Sequence, residues 1–315
     1  MSPAIPADCV PPAPAEELVI RSADGSRLHA EIHGQPGAPT VVLAHGWTCS
    51  TVFWAPVIHR LADRYRVVAY DQRGHGRSEV PPSRLRYSTR ALAEDLSAVL
   101  ARTVPAGERA VLVGHSMGGM TVMAAAGRPE VAERTAAAVL VSTGPADLVT
   151  ELLVLPEAVR PARLRRFLHR QGLRSRLPLG PVGPVSRAVL KYVTMGAGSP
   201  ADRVEATARV VHACPTAVRA RWAGVLDSLD VRAGLARLTV PTAVVVGTDD
   251  RLTPPAHAHR IVAALPDPQG LLLLPGAGHM VPIERPAEVA AEIERLATAH
   301  LPAVHRPSPQ RSLTA

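Results

Sequence analysis

Six short runs of valine, leucine and alanine recur along this chain, each unbroken and each ending in glycine or polar residues. They are "PTVVLAHGW" (39–47), "YRVVAYDQRGHGRS" (65–78), "RAVLVGHS" (109–116), "TAAAVLVSTG" (135–144), "PTAVVVGTDD" (241–250) and "GLLLLPGAGH" (270–279). An alternating run would mark a strand with one wet face. An unbroken run marks a strand buried on both faces, as in a parallel sheet covered by helices. Stretches with helical spacing fall between the runs, at 51–63, 89–102, 117–127 and 286–299. Strand, helix, strand in repetition implies a mostly parallel, doubly wound α/β sheet. Such sheets bind ligands at the carboxyl ends of their strands, where the polar residues gather here. A hairpin is expected over 16–34, because Asp24-Gly25 favours the positive φ of a tight turn.

The 315 residues, 47% hydrophobic, suffice for one large core with an insertion. The core is expected over 16–145 and 233–301, with about eight strands. Residues 146–232 lack strand-like runs and read as a helical lid inserted in it, with segments such as "PARLRRFLHRQGL" and "ADRVEATARVVHAC". Residues 1–15, with five prolines, no basic start and no apolar stretch, read as a flexible tail rather than a signal peptide. Residues 302–315 read as a disordered tail. The longest apolar runs are far too short to span a membrane. Cys9, Cys49 and Cys214 match no metal or redox spacing and are expected as free thiols in a cytoplasmic protein. The net charge is +8, almost all of it from arginine, yet no nucleic-acid recognition motif accompanies it. Residues 160–176, "RPARLRRFLHRQGLRSR", hold seven arginines and no acid, and so all but one of the excess charges. Leu164, Phe167 and Leu168 share one helical face there. Two readings follow: a lid helix with its apolar face packed down, or an interfacial helix that docks on anionic membrane and feeds an apolar ester to the site.

The chemistry centres on "VLVGHSMGGM" (111–120). Gly114, Ser116 and Gly118 form G-x-S-x-G, the pattern of a strand that turns sharply into a helix and exposes one serine. Acyl transfer also needs a base, an acid to orient it and donors for the oxyanion. Of thirteen histidines, His279 alone follows the last strand on a glycine-rich loop, after every other candidate in the chain. His29 and His33 fall in the early hairpin, His115 points away if Ser116 takes the elbow tip, and His257 and His259 read as surface helix residues. Two histidines at i and i+2 do not share a helix face, and no carboxylate cluster joins them, so no metal or other cofactor is expected. The acid should follow the preceding strand, where Asp249 and Asp250 both stand. The oxyanion donors are expected from the backbone N–H of Met117, after the nucleophile, and of Trp47, on the "AHGW" loop that Gly46 lets approach.

Taken together, "HGW", "FWAPVIHRLADRYRVVAYDQRGHGRS", "GHSMGG", "GTDDRLTP" and "GAGHMVPIERP" resemble the α/β-hydrolase superfamily, in its esterase, lipase and cofactor-free haloperoxidase-like branch. The resemblance covers about 40–145 and 235–297 and implies the α/β-hydrolase fold. It places the acid in G-x-x-D, which from Gly247 is Asp250, and it makes Asp71 to Ser78 a structural loop. It implies a serine hydrolase cleaving a carboxylic ester with an apolar acyl or lipid-like group, through Ser116, Asp250 and His279. Acyltransferase and haloperoxidase or perhydrolase activity would use the same triad, and a non-catalytic ligand-binding member is the remote alternative. Epoxide hydrolases and haloalkane dehalogenases of this fold carry an aspartate nucleophile, which Ser116 argues against.

Overall fold

The structure, a computed structural model, describes residues 3–155, 161–177 and 179–302. Residues 1–2, Arg160 of the arginine-rich segment and 303–315 of the expected C-terminal tail lie outside the described residues. The chain opens with β1 (Glu16–Arg21), β2 (Arg27–His33), β3 (Thr40–Ala44), α1 (Ala55–Leu61), β4 (Arg66–Tyr70) and α2 (Thr89–Thr103). There follow β5 (Ala110–His115), α3 (Met117–Ala125), α4 (Pro129–Arg134) and β6 (Thr135–Val141). The insertion carries α5 (Ala162–Arg174), α6 (Pro184–Thr194), α7 (Ala201–Ala213) and α8 (Thr216–Leu226). The chain then returns through α9 (Arg232–Leu235), β7 (Thr242–Gly247), α10 (Pro255–Ala264), β8 (Pro268–Leu274), α11 (Val281–Glu284) and α12 (Pro286–His300).

The eight strands form one sheet in the order β1-β2-β4-β3-β5-β6-β7-β8. Among the described residues, only the pairings of β2 with β1 and β4 are antiparallel in this sheet; the other five are parallel. Every residue of β3, β5, β6 and β7 is buried, as unbroken valine and alanine runs require. Val41, Leu43, Val111 and Val113 pack with α1 and α12, while Val42, Ala44 and Leu112 pack with α2, α3 and α10. The expected hairpin closes at Gly25, whose φ of 83° is costly for other residues.

The two ends of the insertion meet in an isolated antiparallel bridge, Ala146 to Asp230, beside a 2.8 Å hydrogen bond from Val231 N–H to the Pro145 carbonyl. The insertion therefore leaves the core and returns at one neck. Asp227 on its far side accepts from Arg170 Nε at 2.7 Å and from Arg174 Nη2 at 2.9 Å, which anchors α5. Leu164, Phe167 and Leu168 are 43%, 54% and 41% exposed. Of the two readings of α5, the one with this apolar face packed down does not hold: the face looks outward, while His169 is buried with its Nδ1 3.3 Å from the Val149 carbonyl.

The N-terminal segment also differs from a free tail. Residues Ala7–Cys9 make a 3₁₀ turn and Cys9 is buried. Asp8 Oδ2 accepts from Arg203 Nη2 at 2.8 Å, and the Val10 carbonyl lies 2.8 Å from His59 Nε2. Partners far along the chain hold this stretch, and a composition-based reading cannot see them. All three cysteines are free and buried. Among the described residues, no helix is long and apolar enough to cross a membrane.

Candidate active site

Ser116 stands between β5 and α3 with φ 51° and ψ −117°. For a residue with a side chain this conformation costs on the order of 1–3 kcal/mol. Burial of Val111, Leu112 and Val113 just before it contributes about 1.5–3 kcal/mol each, so the packed strand over-determines the turn. Ser116 N–H donates to the Val141 carbonyl at 2.9 Å, and its own carbonyl accepts from Met120 N–H at 3.1 Å and Thr143 Oγ1 at 2.7 Å. The backbone is thus tied on both sides, while the hydroxyl makes no hydrogen bond among the described residues.

The glycines explain the pattern around it. A Cβ on Gly114 would fall 2.5 Å from the Gly118 backbone, and one on Gly118 would fall 2.0 Å from the Ala44 carbonyl oxygen. A Cβ on Gly46 would come within 2.7 Å of His115 Nδ1 and 3.1 Å of Ser116 Cβ. The loop after β3 therefore lies directly against the serine. Its next residue, Trp47, is half-buried, and Trp47 Nε1–H donates to the Arg219 carbonyl on α8 at 3.1 Å. Met117 is the first residue of α3, where backbone N–H groups have no intrahelical acceptor and the helix dipole is positive.

His279 lies on the loop between β8 and α11 and is 4% exposed. Its Nδ1 sits 2.9 Å and 3.0 Å from the two Asp250 carboxylate oxygens. A carboxylate can only accept here, so Nδ1 carries the proton and Nε2 is left as the acceptor. Asp250 also accepts from Leu252 N–H and Thr253 N–H, both at 2.9 Å, and from Thr253 Oγ1 at 2.9 Å. Asp249 is half-buried, turns toward Thr248 Oγ1 at 3.2 Å and has no contact with the imidazole. Of the two carboxylates left open by the spacing, Asp250 is the one on His279. No hydrogen bond joins Ser116 Oγ to His279 among the described residues. The two are neighbours through His115, whose ring lies 4.9 Å from that of His279 and whose Nε2–H donates to the His279 carbonyl at 2.9 Å. Contacts between nucleophile and base commonly tighten only around a reacting substrate.

Several buried histidines support this edge of the sheet without reaching it. Burial holds His45 and His115 well below the usual histidine range, with the charge of a neighbouring histidine adding to the effect. His75 is pushed down to about 4 by burial. His45 Nε2 accepts from Gln72 N–H at 2.9 Å, and Gln72 Oε1 accepts from Thr121 Oγ1 at 2.8 Å, which ties the loop after β4 to α3. Asp71 accepts from Thr51 N–H and Arg77 N–H at 2.8 Å and 2.9 Å, consistent with a loop-shaping role. His29 and His33 are buried on β2 and flank Glu31 at 3.3 Å and 3.4 Å. His257 corrects the surface reading: it is fully buried under Gly144, 3.1 Å from Glu151, while His259 is exposed. The spacing shows which residues share a helix face, but not that α10 turns the His257 face inward. Among the described residues, no group of three or more histidine, cysteine or acidic side chains is arranged to hold a metal.

Two features had no readable signal in the sequence. Backbone strain collects along this edge, at Thr48 (φ 64°) after β3 and Ser142 (φ 44°) after β6 as well as Ser116. Glu284 is buried and gathers three donors: Gly196 N–H at 2.8 Å, Ser199 Oγ at 2.6 Å and Gly278 N–H at 3.0 Å. It binds the insertion to the histidine loop. The fit is close, since a Cβ on Gly278 would fall 2.4 Å from the Met195 backbone. Glu284 stands in "VPIERP", where it reads as an ordinary helical acid.

Residues 39–286 match the α/β-hydrolase fold family. The chain is 38% identical over 150 residues to probable oxidoreductase EphD of Mycobacterium tuberculosis, an overlap of 48% of this chain and 25% of that one. The match thus spans only a quarter of that relative's length. Epoxide hydrolase A of the same organism is 29% identical over 318 residues, covering 89% of this chain and 96% of its own. A thermophilic esterase from Thermogutta terrifontis superposes with a TM-score of 0.72 at 26% identity, covering 91% of this chain and 100% of that one.

Proposed function

The chain belongs to the α/β-hydrolase fold family, and from that premise we propose that it is a hydrolase that cleaves carboxylic esters with Ser116, His279 and Asp250. The observation that carries the reading is the strained Ser116 at the head of α3, next in the chain to His115, which packs on an imidazole whose Nδ1 is engaged by a buried carboxylate. In this mechanism Ser116 Oγ attacks the ester carbonyl as His279 Nε2 takes its proton. Asp250 stabilises the imidazolium without accepting that proton. The backbone N–H groups of Met117 and Trp47 hold the oxyanion; such a donor typically contributes about 10²–10³ in rate. Collapse expels the alcohol, which takes the proton back from His279. Water then repeats the sequence on the acyl-enzyme.

Epoxide hydrolysis is the competing reading, favoured by the relative of that name. The proposed serine nucleophile argues against it. A carboxylate that opens an epoxide forms an ester, which water can cleave at the carbonyl. A serine would form an ether with no carbonyl to attack, and the enzyme would stop after one event. We also propose that the outward face of α5, with Leu164, Phe167 and Leu168 beside its arginines, meets an anionic membrane and that the insertion acts as a lid. The test is a panel of p-nitrophenyl esters of graded chain length, run beside styrene oxide. Turnover of esters with none of the epoxide supports the reading. Turnover of the epoxide with none of the esters overturns it.

A further inference from the structure

A cavity of about 550 Å³ opens beside α8, and Ser116, Asp250 and His279 are not among its lining residues. Its volume is within the range of small-molecule sites, roughly 300–1,000 Å³. Arg84, Arg174, Arg176 and Arg221 line it, with Ser88 and Thr89, and among its described lining residues there is no carboxylate. The four cations come from three separate stretches of chain: the turn before α2, the end of α5 with the residues after it, and α8. Like charges converging on one space raise its free energy unless something negative offsets them.

The offsets within the protein are partial. Arg174 shares Asp227 with Arg170. Arg221 donates to the carbonyls of Pro81 at 2.8 Å and Pro82 at 3.0 Å, and its guanidinium stands 5.3 Å over the Tyr87 ring. These contacts orient Arg221 but leave its charge uncompensated. Arg84 and Arg176 make no side-chain hydrogen bond or ion pair among the described residues. The 15-residue helix α2 also starts at this cavity. Ser88 Oγ accepts from Ala91 N–H at 3.1 Å, and the N–H groups at the start of α2 ahead of it have no intrahelical acceptor. Several guanidinium forks and a positive helix end converge on one open cavity.

We propose that this cavity is a binding site for a phosphoryl group carrying two or more negative charges, separate from the hydrolytic centre. A single carboxylate would leave most of the cationic lining unmatched, whereas phosphate oxygens suit guanidinium forks in both charge and geometry. The separation rests on the lining, which includes none of Ser116, Asp250, His279, Trp47 and Met117. Ala217, Ala220, Arg221 and Gly224 face the cavity, while Trp222 Nε1–H on the other side donates to the Arg73 carbonyl at 2.9 Å. The phosphoryl group comes either from a soluble phosphate compound or from a lipid headgroup.

The test is calorimetric titration of the full chain with inorganic pyrophosphate at low ionic strength. Saturable binding at one site is expected in the wild type, weakened at least about tenfold in Arg84→Gln/Arg176→Gln. The control is Arg163→Gln/Arg166→Gln, which removes the same charge elsewhere on the insertion and should stay within about twofold. Adding phosphatidic acid vesicles, whose headgroup is a phosphomonoester that can carry two negative charges, then separates the sources. Displacement of pyrophosphate points to a headgroup, and unchanged binding to a soluble phosphate. No pyrophosphate binding by the wild type, or equal weakening in both double variants, overturns the proposal. Neither outcome depends on ester hydrolysis.

Discussion

At the residue scale, the account rests on which carboxylate serves the imidazole. Asp250→Asn leaves the shape intact but offers an amide to His279 Nδ1, which favours the wrong tautomer. Steady-state kinetics on a short-chain ester should show kcat lower by on the order of 10⁴. Asp249→Asn, one residue away and without contact to the ring, should be far milder. Equal losses would mean that the Nδ1 contacts do not single out Asp250. Thr253 is a positioning residue: its hydroxyl lies 2.9 Å from Asp250 Oδ2 and 3.2 Å from His279 Nδ1. Thr253→Val should lower kcat roughly tenfold, the cost of about one hydrogen bond, and leave KM nearly unchanged. Thr253→Ser, which restores the hydroxyl, should recover most of the rate. A KM effect without a kcat effect would place Thr253 in substrate binding instead.

At the scale of elements, two contacts of the insertion carry separate predictions. Glu284 ties Gly196 and Ser199 to Gly278, so Glu284→Gln should loosen the histidine loop. Hydrogen bonds to a charged group contribute about 1.5–3 kcal/mol, and a loss of that order should appear in the urea midpoint together with a lower kcat. A variant with wild-type stability and rate would remove Glu284 from this role. On α5, Arg163, Arg165 and Arg166 stand clear of the Asp227 clamp. Changing the three to Gln should weaken binding to anionic vesicles by roughly a hundredfold, at about 1 kcal/mol each. Activity on a soluble ester should hold. Wild-type protein that ignores such vesicles at low salt would return the helix to a solvated surface. The strands and their order of chemistry were legible because unbroken apolar runs and strand-end glycines are local signals. So were Ser116 and His279, which chain order separates from their competitors. The outward face of α5, the burial of His257 and the clasp of Glu284 were not, because each depends on partners tens to hundreds of residues away.

At the scale of the whole molecule, the buried histidines set the response to acid. Burial pushes His75 down to about 4 and His45, His115 and His257 below their ordinary range. Between the unfolded value near 6.5 and these folded values, the unfolded chain binds more protons than the folded one. This stabilisation is therefore complete above about pH 6.5 and is lost as the pH falls toward 4, with His75 alone contributing on the order of 3 kcal/mol. Burial pushes the Asp71 carboxyl up, an effect of opposite sign that offsets part of the loss at the acid end. The urea midpoint should be flat from about pH 7 to 8 and fall steadily below 6.5; a midpoint that rises on acidification would contradict the burial of neutral histidines. The central claim, that one serine does the chemistry, is tested most directly by the mass of the intact protein after treatment with a fluorophosphonate. The account predicts a single adduct per chain, mapped to the peptide holding Ser116 and absent from a folded Ser116→Ala variant. An adduct that persists in that variant, or a wild-type protein that hydrolyses esters yet takes no label, would contradict it.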